Sequence, residues 1–166
     1  MSTANQLQPN EDTSDREIVM TRVFDAPREL VWEAWSDTKH LNRWWGPRGF
    51  TNTYQEFNFS LGGKIKFIMH GPDGTDYPNW IVFHEMVKPE RLGYAHGENE
   101  GEPEHFRVTV TFAEEAGKTR LTMKLIFPTV EARDHTVKEV GAIEGGNQTL
   151  DRLGEELAWM QSGKES

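Results

Sequence analysis

Residues 106–127 read FRVTVTFAEEAGKTRLTMKLIF, and this stretch decides the fold. Phe106, Val108, Val110 and Phe112 alternate with Arg107, Thr109 and Thr111; Leu121, Met123, Leu125 and Phe127 alternate with Arg120, Thr122 and Lys124. A period of two sends successive side chains to opposite faces, so the pattern describes strands with one face covered and one in water. Glu115-Ala116-Gly117-Lys118 supplies the turn between them. The pair is an antiparallel hairpin.

Toward the N-terminus the same alternation recurs as Ile65, Phe67 and Met69 against Lys64 and Lys66, with turns at Leu61-Gly62-Gly63, Pro72-Asp73-Gly74 and Lys88-Pro89-Glu90. Before these, Glu17 to Phe24 is β-like. Pro27 suits the first turn of a helix bearing Leu30, Val31, Ala34 and Trp35. Ser36-Asp37 opens a second short helix with Leu41, Trp44 and Trp45, and Gly46-Pro47 closes it. Beyond Phe127-Pro128 the period changes to 3.6, and Val140, Ile143, Leu150, Leu153, Leu157 and Met160 share one face of a long helix. Consecutive strands with helices gathered at the ends make this an α+β chain with an antiparallel sheet of six to seven strands. Residues 1–15 are polar and acidic and read as a disordered tail; the domain spans 16–162.

The bulk composition excludes several classes. The 18 Lys+Arg against 27 Asp+Glu give a net charge of -9, a field that repels phosphate backbones, so no nucleic-acid partner is expected. Cysteine is absent, which removes disulfides and thiolate metal sites. No apolar run approaches the ~20 residues that span a bilayer. The first residues lack the basic and apolar regions of a secretory signal. We expect a cytoplasmic protein with no membrane partner and no cofactor.

The long helix carries Gly145-Gly146 where the stripe needs bulk, between Ile143 and Leu150. A helix thin at its middle leaves a lined void against the sheet, the usual setting of a small-molecule site. Which strand residues face that void depends on hairpin parity. An even loop around Pro89 pairs Val87 with Leu92 and brings Ile81, Phe83 and Glu85 inward with Tyr94 and His96. An odd loop turns Trp80, Val82, His84 and Met86 inward instead. A three-residue turn at Pro72-Asp73-Gly74 puts Ile81 on the side of Met69 and favours the first register. The expected lining is then Trp44, Phe67, Met69, Phe83, Glu85 and Tyr94, continued by His96, Val108, Met123, Leu125, Gly146 and Asn147.

Glu85 and His96 are the residues with chemistry in that set. A carboxylate and an imidazole in an apolar cavity are candidates for general acid and base, or for anchoring a ligand's polar end. Other motifs carry less. Ser36-Asp37-Thr38-Lys39 sits where a helix needs a cap. Gly62-Gly63-Lys64 lacks the remainder of a phosphate loop. His70 and His105 fall on the solvent face by alternation, away from His96, so no metal site is expected among the histidines.

The segment from Arg22 to Trp35, RVFDAPRELVWEAW, followed by Leu41-Asn-Arg-Trp-Trp-Gly-Pro47, resembles the opening of AHSA-type proteins. These are homologues of the activator of the heat-shock protein 90 ATPase, within the START-like (SRPBCC) superfamily. Gly62-Gly63-Lys64, Gly71-Pro-Asp-Gly-Thr75, Lys88-Pro-Glu-Arg-Leu92, Thr119-Arg-Leu-Thr122 and Asn147-Gln-Thr-Leu-Asp-Arg-Leu153 extend the resemblance over residues 16–161. It implies the helix-grip fold, in which a curved antiparallel sheet grips a C-terminal helix around a hydrophobic cavity. It fixes no catalytic set, because one fold hosts many functions.

The reading leans to binding of a small hydrophobic or amphipathic molecule without catalysis. The alternatives are a cyclase- or hydrolase-type enzyme using His96 and Glu85 on an aromatic or polyketide-like substrate, and a co-chaperone-like interaction domain. A protein partner or homodimer stays open.

Overall fold

The hairpin at 106–127 forms as read. In the computed structural model, which describes residues 12–99 and 101–163, β6 (Phe106–Glu115) pairs with β7 (Lys118–Ile126) from Arg107↔Ile126 to Glu115↔Lys118. The two-residue connection places Ala116 and Gly117 at positive φ, 52° and 83°. That geometry matches the strand twist, and it is easy for glycine and strained for alanine.

Five more strands complete one antiparallel sheet in the order β1-β7-β6-β5-β4-β3-β2. They are β1 (Glu17–Phe24), β2 (Thr51–Phe57), β3 (Lys64–His70), β4 (Asp76–Val87) and β5 (Arg91–Gly97). Strands β1 and β2 stand at opposite edges. Helices α1 (Arg28–Ser36) and α2 (Thr38–Trp44) run between them, so the β1–β2 connection must cross the sheet's inner face. Asp37, rather than Ser36, caps α2 by accepting from the Lys39 amide at 2.9 Å.

The core lies between that face and the helices. Val31, Trp32 and Trp35 of α1, and Leu41 and Trp44 of α2, pack with Ile65, Phe67, Phe83, Leu92, Val110, Phe112 and Leu121 of the sheet. The fully buried His40 ties α2 to the C-terminal helix α4 (Ala142–Gln161) through a 2.8 Å contact from Nδ1 to Glu156.

Two expectations change. The long helix does not begin at Val140. A short α3 (Val130–His135) passes into a single π turn, Thr136–Val140, which Gly141 ends at φ 70°. This left-handed residue breaks the helix, so α4 starts afresh at Ala142. Leu150, Leu153, Leu157 and Met160 are buried as the stripe requires, but Ile143 is 42% exposed. The tail also ends earlier. Residues 1–11 lie outside the described residues, but Ser14–Arg16 form a 3-10 turn and Thr13 is buried, its hydroxyl bonded to the Glu17 carboxylate. Arg16 Nη1 donates to the Phe127 carbonyl at 2.5 Å, so the packed unit begins near Thr13 rather than at 16.

Ala116 gives a test of the hairpin. Ala116→Asn creates the Asn-Gly pair this turn type favours and should raise stability by about 1 kcal/mol in urea denaturation. A destabilised variant would show that the turn is not left-handed in solution.

Candidate functional site

Which residues of β4 and β5 face the site is set by two irregularities that offset each other. Val87 pairs with Arg91, so the Lys88–Glu90 loop has three residues and is odd. Alone, this would turn Val82 and His84 inward. A β-bulge between Phe83 and Glu85 inserts one residue and restores the phase. Phe83 then faces Tyr94, and Ile81 faces His96, on the buried side.

Glu85 is not part of that face, which corrects the expected register. It pairs with Gly93 in place of Tyr94, and its carboxylate bonds Arg91 Nε at 2.8 Å on the outer side. His84 is exposed as well. Both crowd the outer side of Gly93, where an added Cβ would stand 3.0 Å from Glu85 Cβ and 3.1 Å from His84 Cε1. The expected Glu85–His96 pair is therefore absent.

A pocket of about 250 Å³ opens between the first turns of α4 and the sheet. Its floor is Met20, Met69, Tyr94, His96, Phe106, Val108, Met123 and Leu125. Gly141, Ala142, Gly145, Gly146, Thr149 and Leu150 roof it, and Trp45-Gly46-Pro47 forms one end wall. Gly146 matters through close approach, since a Cβ there would lie 2.4 Å from Met20 Sδ. The tip of a flexible thioether occupies the space left by the missing side chain.

Seven of the twelve residues expected in the lining, Met69, Tyr94, His96, Val108, Met123, Leu125 and Gly146, border this pocket. The other five do not. Trp44 is fully buried in the core, its Nε1 donating to the Ala34 carbonyl at 2.9 Å, and its neighbour Trp45 takes the wall instead. Phe67 and Phe83 line a void of about 10 Å³ beneath Trp35 and Trp45, too small for a ligand. Glu85 is outside, and Asn147 is exposed, its carbonyl accepting from Arg22 Nη2 at 3.4 Å. Met20 and Phe106 continue legible alternations yet were missed. Trp45 and Thr149 had no signal that set them apart.

The pocket's polar groups are few. His96 Nε2 meets Asn79 Oδ1 at 2.7 Å, while Asn79 Nδ2 donates to the Tyr77 carbonyl at 2.9 Å. Burial pushes the His96 pKa down to about 4, with His105 adding to the effect. Burial likewise pushes the Tyr94 phenol up. Thr149 Oγ1 donates to the Gly145 carbonyl at 2.9 Å. Among the described residues no Lys, Arg, Asp or Glu lines the pocket.

The end wall is held from behind. Arg152 Nη1 donates to the carbonyls of Trp45, Gly46 and Pro47 at 3.4, 2.8 and 2.9 Å, and Nη2 to that of Arg43 at 2.7 Å. The other histidines are dispersed. His70 bonds Asp76 and Thr53, and His84 and His105 are exposed. Among the described residues no three His, Asp or Glu gather to hold a metal ion, and no helix is long and apolar enough to cross a membrane.

Two measurements test this geometry. Arg152→Met should cost about 2 kcal/mol or more in urea denaturation, since it strips charge-assisted donors from partly buried carbonyls. For His96, the folded pKa of about 4 lies below the ordinary 6.5, so folding disfavours its protonation. The penalty is absent above pH 6.5 and grows as pH falls toward 4. At pH 4.5 it should reach about 2.5 kcal/mol relative to pH 7.5. His96→Gln should show an acid loss smaller by that amount; equal losses would mean that the imidazole is not desolvated.

The family described as Activator of Hsp90 ATPase homolog 1-like protein matches residues 25–158. A solution structure of a protein from Arthrobacter aurescens is similar at 28% identity, covering 90% of each chain, with a TM-score of 0.79. A crystal structure of a protein from Rhodobacter sphaeroides is 27% identical over 89% of this chain and 96% of that one, with a TM-score of 0.76. The AHSA1 protein of Silicibacter pomeroyi shares the fold at 22% identity and a TM-score of 0.71, covering 87% of this chain and 99% of that one. No curated protein matches.

Proposed function

The chain belongs to the Activator of Hsp90 ATPase homolog 1-like family, of START-like helix-grip fold, and on that premise we propose that it binds a small hydrophobic or amphipathic molecule in the pocket under α4. The observation that carries this reading is the lining. An opening of about 250 Å³ is walled almost wholly by apolar side chains and glycine backbone. Sites of this kind sequester most of a small ligand's surface and orient it with a few polar atoms. Met20, Met69 and Met123 contribute a soft wall, since unbranched thioethers repack around different shapes at little cost.

The enzymatic alternative loses its carboxylate, because Glu85 is ion-paired with Arg91 on the opposite face. An interaction domain would dock through exposed aromatics, of which those around Trp45 and Phe50 are the candidates. Trp45 lines the pocket, and the Phe50 ring lies 6.0 Å from that of Tyr77.

Methyl labelling of the six methionines provides the test. On titration with 2-methylnaphthalene, the Met20, Met69 and Met123 resonances should move while Met86 and Met160 stay fixed. Gly146→Leu should weaken the response at least about tenfold while the chain stays folded, because it fills the pocket at a cost of about 1–3 kcal/mol. Uniform shifts of all the methyls, or none, would remove the proposal.

A further inference from the structure

Two polar atoms on the pocket floor have unused bonding capacity. Tyr94 is 2% exposed, and among the described residues its hydroxyl has no hydrogen-bond partner, although it is not sealed from the pocket. Two positions along the same strand face, His96 uses Nε2 on Asn79 and leaves Nδ1 without a partner among the described residues.

The proton on His96 can be placed. The Tyr77 carbonyl only accepts, so the Asn79 atom 2.9 Å from it is the amide nitrogen, and Oδ1 faces His96. Oδ1 also only accepts, so His96 Nε2 must donate across the 2.7 Å contact. Nδ1 is then a bare lone pair. Burial keeps the ring unprotonated down to about pH 4, so this state persists at neutral pH.

We infer that the pocket selects an uncharged ligand bearing a hydroxyl on an apolar body, which donates to His96 Nδ1, and that it rejects carboxylates. This rests on the proposed reading of the pocket as a ligand site. A carboxylate would bring its lone pairs against that of Nδ1 and would enter an apolar space with no cation to receive it. The remaining polar groups do not offset this. Thr149 spends its hydroxyl proton on Gly145, and the nearby Arg152 guanidinium is committed to main-chain carbonyls behind the wall. Among the lining side chains, Tyr94 offers a donor that has no partner among the described residues, and it serves a hydroxyl oxygen as well as a carboxylate.

Three probes of one skeleton separate the possibilities: 2-naphthol, 2-naphthoate and 2-methylnaphthalene, titrated into the full chain at pH 7.5 with the methionine methyls as readout. We expect 2-naphthol to bind about fivefold tighter than 2-methylnaphthalene, the worth of one net hydrogen bond, and at least about tenfold tighter than 2-naphthoate. In His96→Leu the advantage of naphthol over methylnaphthalene should vanish while both still bind. Asn79→Ala, which frees the tautomer without altering the lining, should narrow the naphthol–naphthoate gap, and it decides the matter should His96→Leu fail to fold. Naphthoate binding as tightly as naphthol overturns this inference but leaves the pocket reading intact, provided that the Met20, Met69 and Met123 methyls move. If none of the three probes moves those methyls, the pocket reading fails and this inference with it.

Discussion

Arg152 sits among four main-chain carbonyls, those of Arg43, Trp45, Gly46 and Pro47, and the form of the pocket's end wall depends on that contact. The end of α2 leaves carbonyls without helical partners, as every helix end does. Here a side chain from the third turn of α4 satisfies them. One guanidinium therefore terminates α2, fixes the turn into β2 and clamps both to α4. Because the clamp acts from behind, the other side of the same loop is free to present Trp45, Gly46 and Pro47 to the pocket. Burial lowers the Arg152 pKa, but the group remains charged at any physiological pH. Its desolvation is offset by bonds that only a planar fork could make together.

With α2 fixed, the inner face of the sheet divides into two regions of different material. Beneath α1 and α2 it is filled with rings: Trp35 packs edge-on against Trp44, Trp45 and Phe112, and Phe59 against Trp32 and Phe83. Large rigid rings fill volume efficiently, and only about 10 Å³ is left. Beneath the first turns of α4 the sheet contributes Met20, Met123, Val108 and Leu125, and the helix contributes glycine, alanine and threonine. Small residues above and flexible ones below do not close the gap. Tyr94 stands at the boundary and borders both regions. Its ring packs with Trp35 and Phe83 of the aromatic core, and the same residue lines the pocket.

Much of this was legible in the sequence, and the exceptions share a cause. Strand alternation is written into side-chain types, so Phe67, Val108, Val110 and Leu121 could be assigned to the buried face from pattern alone. Tyr94 and His96 were assigned inward correctly, although the argument from an even loop was wrong. The loop is odd, and a bulge at His84 cancels it. A bulge is a main-chain event with no obligatory residue, so the phase of Glu85 could not be read from its neighbours. The helix break at Gly141 is similar. Glycine permits a left-handed residue without requiring one, and the stripe appeared to run through it to Val140. Trp44 and Trp45 are adjacent and alike, and only the twist at the end of α2 sends one to the core and the other to the pocket. The contacts of Arg152 and of His40 with Glu156 join residues more than a hundred positions apart, and no local signal marks them.

The polar economy of the pocket also bears on what it can do. A general base works best with a pKa near the working pH, which a solvated imidazole already approaches and a carboxylate beside the ring raises further. His96 has a neutral amide there instead, in Asn79, and aromatic neighbours in Phe106 and Phe67, with ring centroids at 4.8 and 6.5 Å. These partners orient the ring and hold it neutral without adding basicity. With a pKa near 4 the imidazole is a weak base at neutral pH, and it holds no proton to give as an acid from Nδ1. The same features suit recognition. A fixed tautomer presents one lone pair in one direction at constant charge. Its bond to a ligand strengthens in an apolar setting, while an unmatched polar group there is costly. An amide in place of a carboxylate behind the histidine thus suits the proposed recognition of a ligand better than proton transfer, and it acts through Asn79, which does not line the pocket.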